Sequence, residues 1–241
     1  PEHCGGVALI GRSQRETARE SIGAFFDVDG TIAASDIVRA YLAFRLARLS
    51  TLKRWIFLAR FLPRIILYIA LDFHDRHSFN KVFYHVYRGV ESDILDRWAE
   101  EAVESFWAPR MLPEALSRMR YHLDEGHQVV LVSGGLEPIL EPLARSLGVH
   151  ALVGVKPESH AGRLTGQLIC GALSGRAKSR AVQDTAGKLG ISLSRSYAYA
   201  DSIGDREFLE AVKFPFAVNP DRRLRQIALD QEWPIVSWKR S

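Results

Sequence analysis

Five short apolar runs, at residues 22–26, 128–132, 151–155, 196–200 and 214–218, are each followed by loop or helix signals. This alternation restricts the fold more than any other feature of the chain. Each run is short for a buried helix and lacks the polar alternation of a half-exposed strand, so it reads as a strand covered on both faces. Between the runs lie helical patterns with usable ends: 113–125 opens on Pro113 and is followed by Gly126, 138–147 opens on Pro138 and is followed by Gly148, and 177–189 is followed by Gly190. Strands alternating with helices predict an α/β fold with a parallel sheet covered on both sides.

Residues 35–112 break the alternation, with helical periodicity, several aromatics and no convincing strand. The expected organisation is therefore a core from 21–34 and 113–241, a helical cap inserted at 35–112, and a loose polar leader at 1–20. Residues 162–171, with Leu164 and Leu168 between glycines, suggest a small hairpin. Trp233 and Trp238 flank Pro234 and are expected to pack a last strand or tail onto the core.

A chain of 241 residues with 47% hydrophobic content suits one ordinary domain, or one carrying a sizeable insertion. Its net charge of +4 comes from arginines scattered along the chain rather than from a dense basic arm, which argues against nucleic acid as the partner. Cys4 and Cys170 have no companion ligands at zinc spacing and suggest no disulfide framework, so a reducing cytoplasm is expected. The first twenty residues lack the apolar core of a signal peptide, and the opening Pro1 suggests a longer native start.

The chemistry-bearing residues stand at strand ends and helix starts. Asp27 and Asp29 follow the first run, and alternate residues of an extended segment point the same way. Asp201 and Asp205 follow the fourth run, which brings four carboxylates toward one sheet edge if those strands are neighbours. Such a cluster repels itself unless it holds a cation, and an oxygen-only set suits a hard ion such as Mg²⁺. Ser133-Gly134-Gly135 precedes a helix, where free backbone N–H groups favour an anion. Lys178, early in the helix that begins near Gly175, supplies a point charge to the same place.

Asp27-Val28-Asp29-Gly30-Thr31, Val132-Ser133-Gly134-Gly135, Lys178 and Ala200-Asp201-Ser202-Ile203-Gly204-Asp205, in this order, resemble the haloacid dehalogenase superfamily. More narrowly they resemble its phosphoserine-phosphatase-like branch. The resemblance implies a Rossmann-like three-layer core with a helical cap after the first motif, and a Mg²⁺-dependent phosphomonoesterase. It makes Asp27 a nucleophile that becomes an aspartyl phosphate, and Asp29 the acid and then base, with its carbonyl on the metal. Ser133 and Lys178 would hold the phosphoryl oxygens beside Gly134 and Gly135, Asp201 would ligate Mg²⁺, and Asp205 would steady the metal or Lys178. Alternatives are phosphotransfer to an alcohol acceptor and a ligand-binding or membrane-surface relative without turnover.

Phosphoserine phosphatases resembling this chain carry a Glu and an Arg that grip the amino acid, and here Asp36 and Phe83 stand near those positions. Arg76 or Arg88 are the available substitutes, and Ser202 and Gly204 also depart from the phosphoserine enzymes. The expected substrate is thus a small or lipid-linked organic phosphate, with phosphoserine the alternative. Residues 55–71, apolar except for Arg60, Pro63 and Arg64, are too short and too charged to span a bilayer. They read as the cap's own helices broken at Pro63, or as a peripheral contact with the inner face of a membrane. His74, His77 and His85 have helical spacing without thiolate or carboxylate companions and read as ordinary histidines.

Overall fold

The computed structural model describes residues 7–10, 21–61 and 83–239. Its main sheet has the order β1 (Val7–Leu9), β4 (Ala151–Val155), β3 (Gln128–Leu136), β2 (Gly23–Phe26), β7 (Tyr197–Ala200), β8 (Phe214–Val218) and β9 (Ile235–Val236). β2 (Gly23–Phe26) pairs in parallel with β3 (Gln128–Leu136) on one side and with β7 (Tyr197–Ala200) on the other. β4 (Ala151–Val155) extends the first side, and β8 (Phe214–Val218) and β9 (Ile235–Val236) extend the second, all in parallel. Chain order therefore runs outward in both directions from β2, which makes its carboxyl end the switch point where open α/β sheets bind ligands. Every residue of β2 and β4 is buried, as strands covered on both faces require.

Three helices between these strands follow the sequence closely, α4 (Pro113–Asp124), α5 (Glu137–Ser146) and α6 (Arg176–Leu189), whereas α8 (Arg222–Asp230) was not anticipated. α7 (Arg206–Leu209) is a single turn after β7. The interval between β2 and β3 holds α1 (Ile37–Leu46), α2 (residues 51–61) and α3 (Ser92–Ala102), with short 3-10 and π turns and no named strand among its described residues. Asp36 caps α1 through the N–H of Arg39 at 2.8 Å.

Two expectations need correction. The leader is not uniformly loose: β1 (Val7–Leu9) pairs antiparallel with β4, and the N–H of Ile10 donates to the carbonyl of His150. The open edge of β4 supplies the unpaired backbone groups that order those residues. The hairpin runs earlier than 162–171: β5 (Pro157–His160) pairs with β6 (Arg163–Leu168) around a turn at Ala161 and Gly162. Cys4, Pro63, Arg64, His74, Arg76 and His77 lie outside the described residues.

Behind the sheet's centre, Phe26 stacks on Tyr199 with ring centroids 4.4 Å apart. The Tyr199 hydroxyl is 2.8 Å from Nε2 of His122, whose Nδ1 is 2.8 Å from Nδ1 of His127. Burial, aided by His127 and Arg118, pushes the His122 pKa down to about 4. The imidazole is thus neutral in the fold and takes a proton more readily in the unfolded chain. Between the unfolded value near 6.5 and the folded value, the unfolded state binds the extra proton, so stability falls as the pH falls. The loss amounts to about 3 kcal/mol once the pH has dropped through both values. Urea unfolding at pH 7.5 and pH 4.5 should show a clearly smaller loss for His122→Gln than for the wild type. Equal losses in the two proteins would remove His122 as the source.

Candidate active site

The site is built on loops leaving β2 and β7. The N–H of Asp27 donates to the carbonyl of Tyr199 at 2.9 Å, so its backbone is still held by the sheet. The chain then turns back, the carbonyl of Val28 accepting from the N–H groups of Ile32 and Ala33, each at 3.0 Å. Gly30 occupies the left-handed region of the turn with φ +79°, and a Cβ there would come within 2.0 Å of Oδ2 of Asp201. Glycine is therefore what lets the loop after β2 meet the carboxylate that follows β7.

Asp221 holds that second loop. Its N–H donates to the carbonyl of Asp201 at 2.8 Å, and Oδ2 accepts from the N–H of Ile203 at 2.7 Å. Its Oδ1 caps α8 through the N–H groups of Arg223 and Leu224. The sequence reading passed over Asp221, although an Asp directly before a helical pattern is a recognisable cap signal.

At the centre lies Lys178, 2% exposed, in the first turn of α6. Its Nζ is 2.5 Å from Oδ1 of Asp27 and 2.6 Å from Oδ1 of Asp205, while the hydroxyl of Ser202 donates to Oδ2 of Asp205 at 3.1 Å. Burial by itself would push the ammonium down, yet Asp205 and Asp27 outweigh it and hold the group above its ordinary value. Carboxylate oxygens of Asp27, Asp201 and Asp205 lie within 4.8 Å of one another. Three carboxylates against one ammonium leave excess negative charge, and their spacing lets one cation touch all three. The donor set is oxygen only, which fits a hard divalent ion.

Of the four acidic residues singled out in the sequence, three share this cluster. Asp29 departs from it: together with Ile37, Phe83, Tyr84, Tyr87 and Trp107 it lines a cavity of about 20 Å³ between the insertion and the junction of β3 with α5. Phe83 is fully buried there, edge-on to Tyr41 at 6.0 Å. Asp36 is spent on capping α1 and pairs with Arg39 at 3.2 Å, and Arg88 is exposed, so neither lines that cavity. His85 contacts the carbonyl of Gly166 through Nδ1 at 2.9 Å.

Ser133 is fully buried at the end of the regular part of β3. Its Oγ accepts from the N–H of Gly135 at 2.9 Å, so that N–H is engaged rather than free as expected, and the hydroxyl proton is left to donate elsewhere. The carbonyl of Gly134 accepts from the hydroxyl of Tyr84, which ties the insertion to the end of β3. Tyr84 and Trp107 were not singled out in the sequence, where nothing separates them from ordinary core aromatics.

A parallel α/β sheet whose switch point carries a carboxylate cluster braced by a lysine defines a hydrolase-type centre. The haloacid dehalogenase-like hydrolase family matches residues 24–210, and the chain belongs to that family. It is similar to a probable phosphatase of Mycobacterium tuberculosis, 29% identical over 222 residues that cover 92% of this chain and 77% of the relative. A protein of unknown function from Bordetella pertussis Tohama I shares the fold with TM-score 0.76 at 25% identity, over 90% of this chain and 98% of that one. A phosphoserine phosphatase solved as a phospho-aspartyl intermediate analogue shares it with TM-score 0.65 at 16% identity, over 92% and 96% of the two chains.

Removing the ammonium while keeping its stem should expose how much the cluster depends on it. In metal-free buffer Lys178→Met is expected to lower stability by about 3 kcal/mol or more, because two buried carboxylates lose their partner. A variant as stable as the wild type would show that the charges are compensated elsewhere. Gly30→Ala should bring a loss of about 1–3 kcal/mol from backbone strain alone, and its crystal structure should show Asp201 displaced.

Proposed function

We propose that the chain is a magnesium-dependent phosphatase that hydrolyses phosphate monoesters through a phosphorylated Asp27. The observation that carries this reading is the division of the acidic residues. Asp27, Asp201 and Asp205 gather around Lys178, whereas Asp29 faces the cavity where a leaving group would lie.

The carboxylate of Asp27 attacks phosphorus, the bond to the ester oxygen breaks, and the leaving oxygen takes a proton from Asp29. Asp29 then draws a proton from water, the water oxygen attacks phosphorus, and the bond to Asp27 breaks to release phosphate. Lys178 keeps Asp27 aimed and, with the Ser133 hydroxyl, meets the phosphoryl oxygens. Asp27, Asp201 and Asp205 are the residues that would hold Mg²⁺, which when bound offsets their charge and that of the phosphoryl group.

The leaving-group side is apolar. Phe83, Tyr84, Tyr87, Trp107, Leu136 and Ile139 surround Asp29, and the indole N–H of Trp107 has no hydrogen-bond partner among the described residues. That wall supports an ester of an uncharged alcohol, to which Trp107 can donate one hydrogen bond. Among the described residues it presents no cation to the carboxylate of phosphoserine, and leaving such a charge unpaired costs several kcal/mol.

Asp27→Asn should retain the fold and lose at least about a thousandfold in kcat on p-nitrophenyl phosphate; activity near the wild-type level would remove Asp27 from its role. Thorough demetallation should abolish turnover and Mg²⁺ should restore it, with Zn²⁺ and Ca²⁺ restoring little. Full activity of the demetallated protein would contradict the metal assignment. Phosphoserine should show a kcat/KM at least about a hundredfold below the best uncharged ester, and the reverse ranking would overturn the apolar reading of the cavity.

A further inference from the structure

α2 is apolar on two sides. Phe57 and Phe61 stack on each other at 5.3 Å and meet Tyr41 at 6.5 and 5.5 Å, which fixes the inner side. Leu52, Trp55 and Ile56 lie on the opposite side and are 72%, 69% and 51% exposed, with Ala59 exposed beside them. Their spacing of three, four and seven residues places them in one stripe along the helix. Solvent-facing large apolar residues are ordinary when scattered, whereas a stripe of them marks a contact surface. Exposed Lys53 and Arg60 share one border of the stripe, since they lie seven residues apart. Nε of Arg54 donates to the carbonyls of Leu46 and Leu49 at 2.9 Å each, which ties α2 to the end of α1.

The surrounding charge is one-sided. Residues 37–71 contain seven Lys or Arg and no Asp or Glu, so with +4 for the whole chain the remainder carries −3. The basic excess of the chain thus travels with the segment that presents the apolar stripe, and the rest is net acidic.

We propose that the outward face of α2 docks on an anionic lipid bilayer. Leu52, Trp55 and Ile56 enter the boundary between head groups and acyl chains, while Lys53 and Arg60 extend to the lipid phosphates. No helix among the described residues is long and apolar enough to cross a membrane, and the proposed contact lies at the bilayer surface. Nucleic acid fits less well, because its phosphates answer the charge but leave the apolar stripe unused. A second copy of this chain fits less well too, because it would set two strongly basic surfaces face to face.

The test is sedimentation of the full chain with phosphatidylcholine vesicles that contain about one-third phosphatidylglycerol, against phosphatidylcholine alone. Anionic vesicles should carry the protein down and neutral ones should not, with binding weakened at high salt. The double substitution Lys53→Glu and Arg60→Glu should weaken binding at least about thirtyfold, and Trp55→Ser with Ile56→Ser should release the protein as well. Hydrolysis of p-nitrophenyl phosphate should be unchanged in both variants. A second measurement needs only a mild change: acyl-chain-brominated anionic vesicles should quench part of the wild-type tryptophan fluorescence, and Trp55→Phe should lose that quenched part. The proposal fails if anionic and neutral vesicles bind alike, if neither binds, or if the charge-reversed protein binds as the wild type does. It also fails if Trp55→Ser dissolves a concentration-dependent dimer, or if duplex DNA binds in a manner indifferent to the apolar substitutions.

Discussion

The buried ammonium of Lys178 is the contact on which the rest of the centre depends. It stands at 2.5 Å from Asp27 and 2.6 Å from Asp205, residues that reach it from two different loops. Placing three carboxylates side by side in a buried pocket is unfavourable, and the lysine offsets only part of the charge. The sheet order supplies what the chemistry needs: β2 and β7 are hydrogen-bonded neighbours although Asp27 and Ala200 are far apart in the chain, and the start of α6 meets the loops after both. The fold spends stability to hold these charges together, which is the usual sign of a working site rather than of a structural ion pair.

Much of this was legible in the sequence because it is written in short-range signals. The runs at 151–155 and 214–218 coincide with β4 and β8, and the helices that open near Pro113 and Pro138 fall within a residue or so of α4 and α5. What escaped was set by distant partners. Val7–Leu9 is a strand only because the edge of β4 is there to receive it. Asp29 and Asp27 share a motif, yet Asp27 stands in the carboxylate cluster while Asp29 lines the cavity, a division that their spacing of two does not reveal. No period or spacing reveals that Tyr84 and Trp107 wall the same cavity.

The insertion has two surfaces with unlike duties. Tyr41 joins the inner side of α2 to Phe83, so a continuous set of rings runs from that helix to the cavity beside Asp29. Its core is aromatic rather than ionic, and aromatic packing of this kind keeps water from the leaving-group side while discriminating by shape. Of its described basic residues, Arg48, Lys53, Arg54 and Arg60 are exposed, and none of them lines the cavity beside Asp29.

The hydroxyl of Tyr84 reaches across to the carbonyl of Gly134, and its ring is also part of the cavity wall. A cavity of about 20 Å³ has room for roughly one water molecule. Any ester larger than that must part the phenol from the loop before it can arrive, and its alcohol must wait for the same parting in order to leave. On the proposed ester chemistry, that parting is a step separate from bond breaking, and such a step can set the pace. Turnover would then follow the viscosity of the medium more closely than the acidity of the departing alcohol.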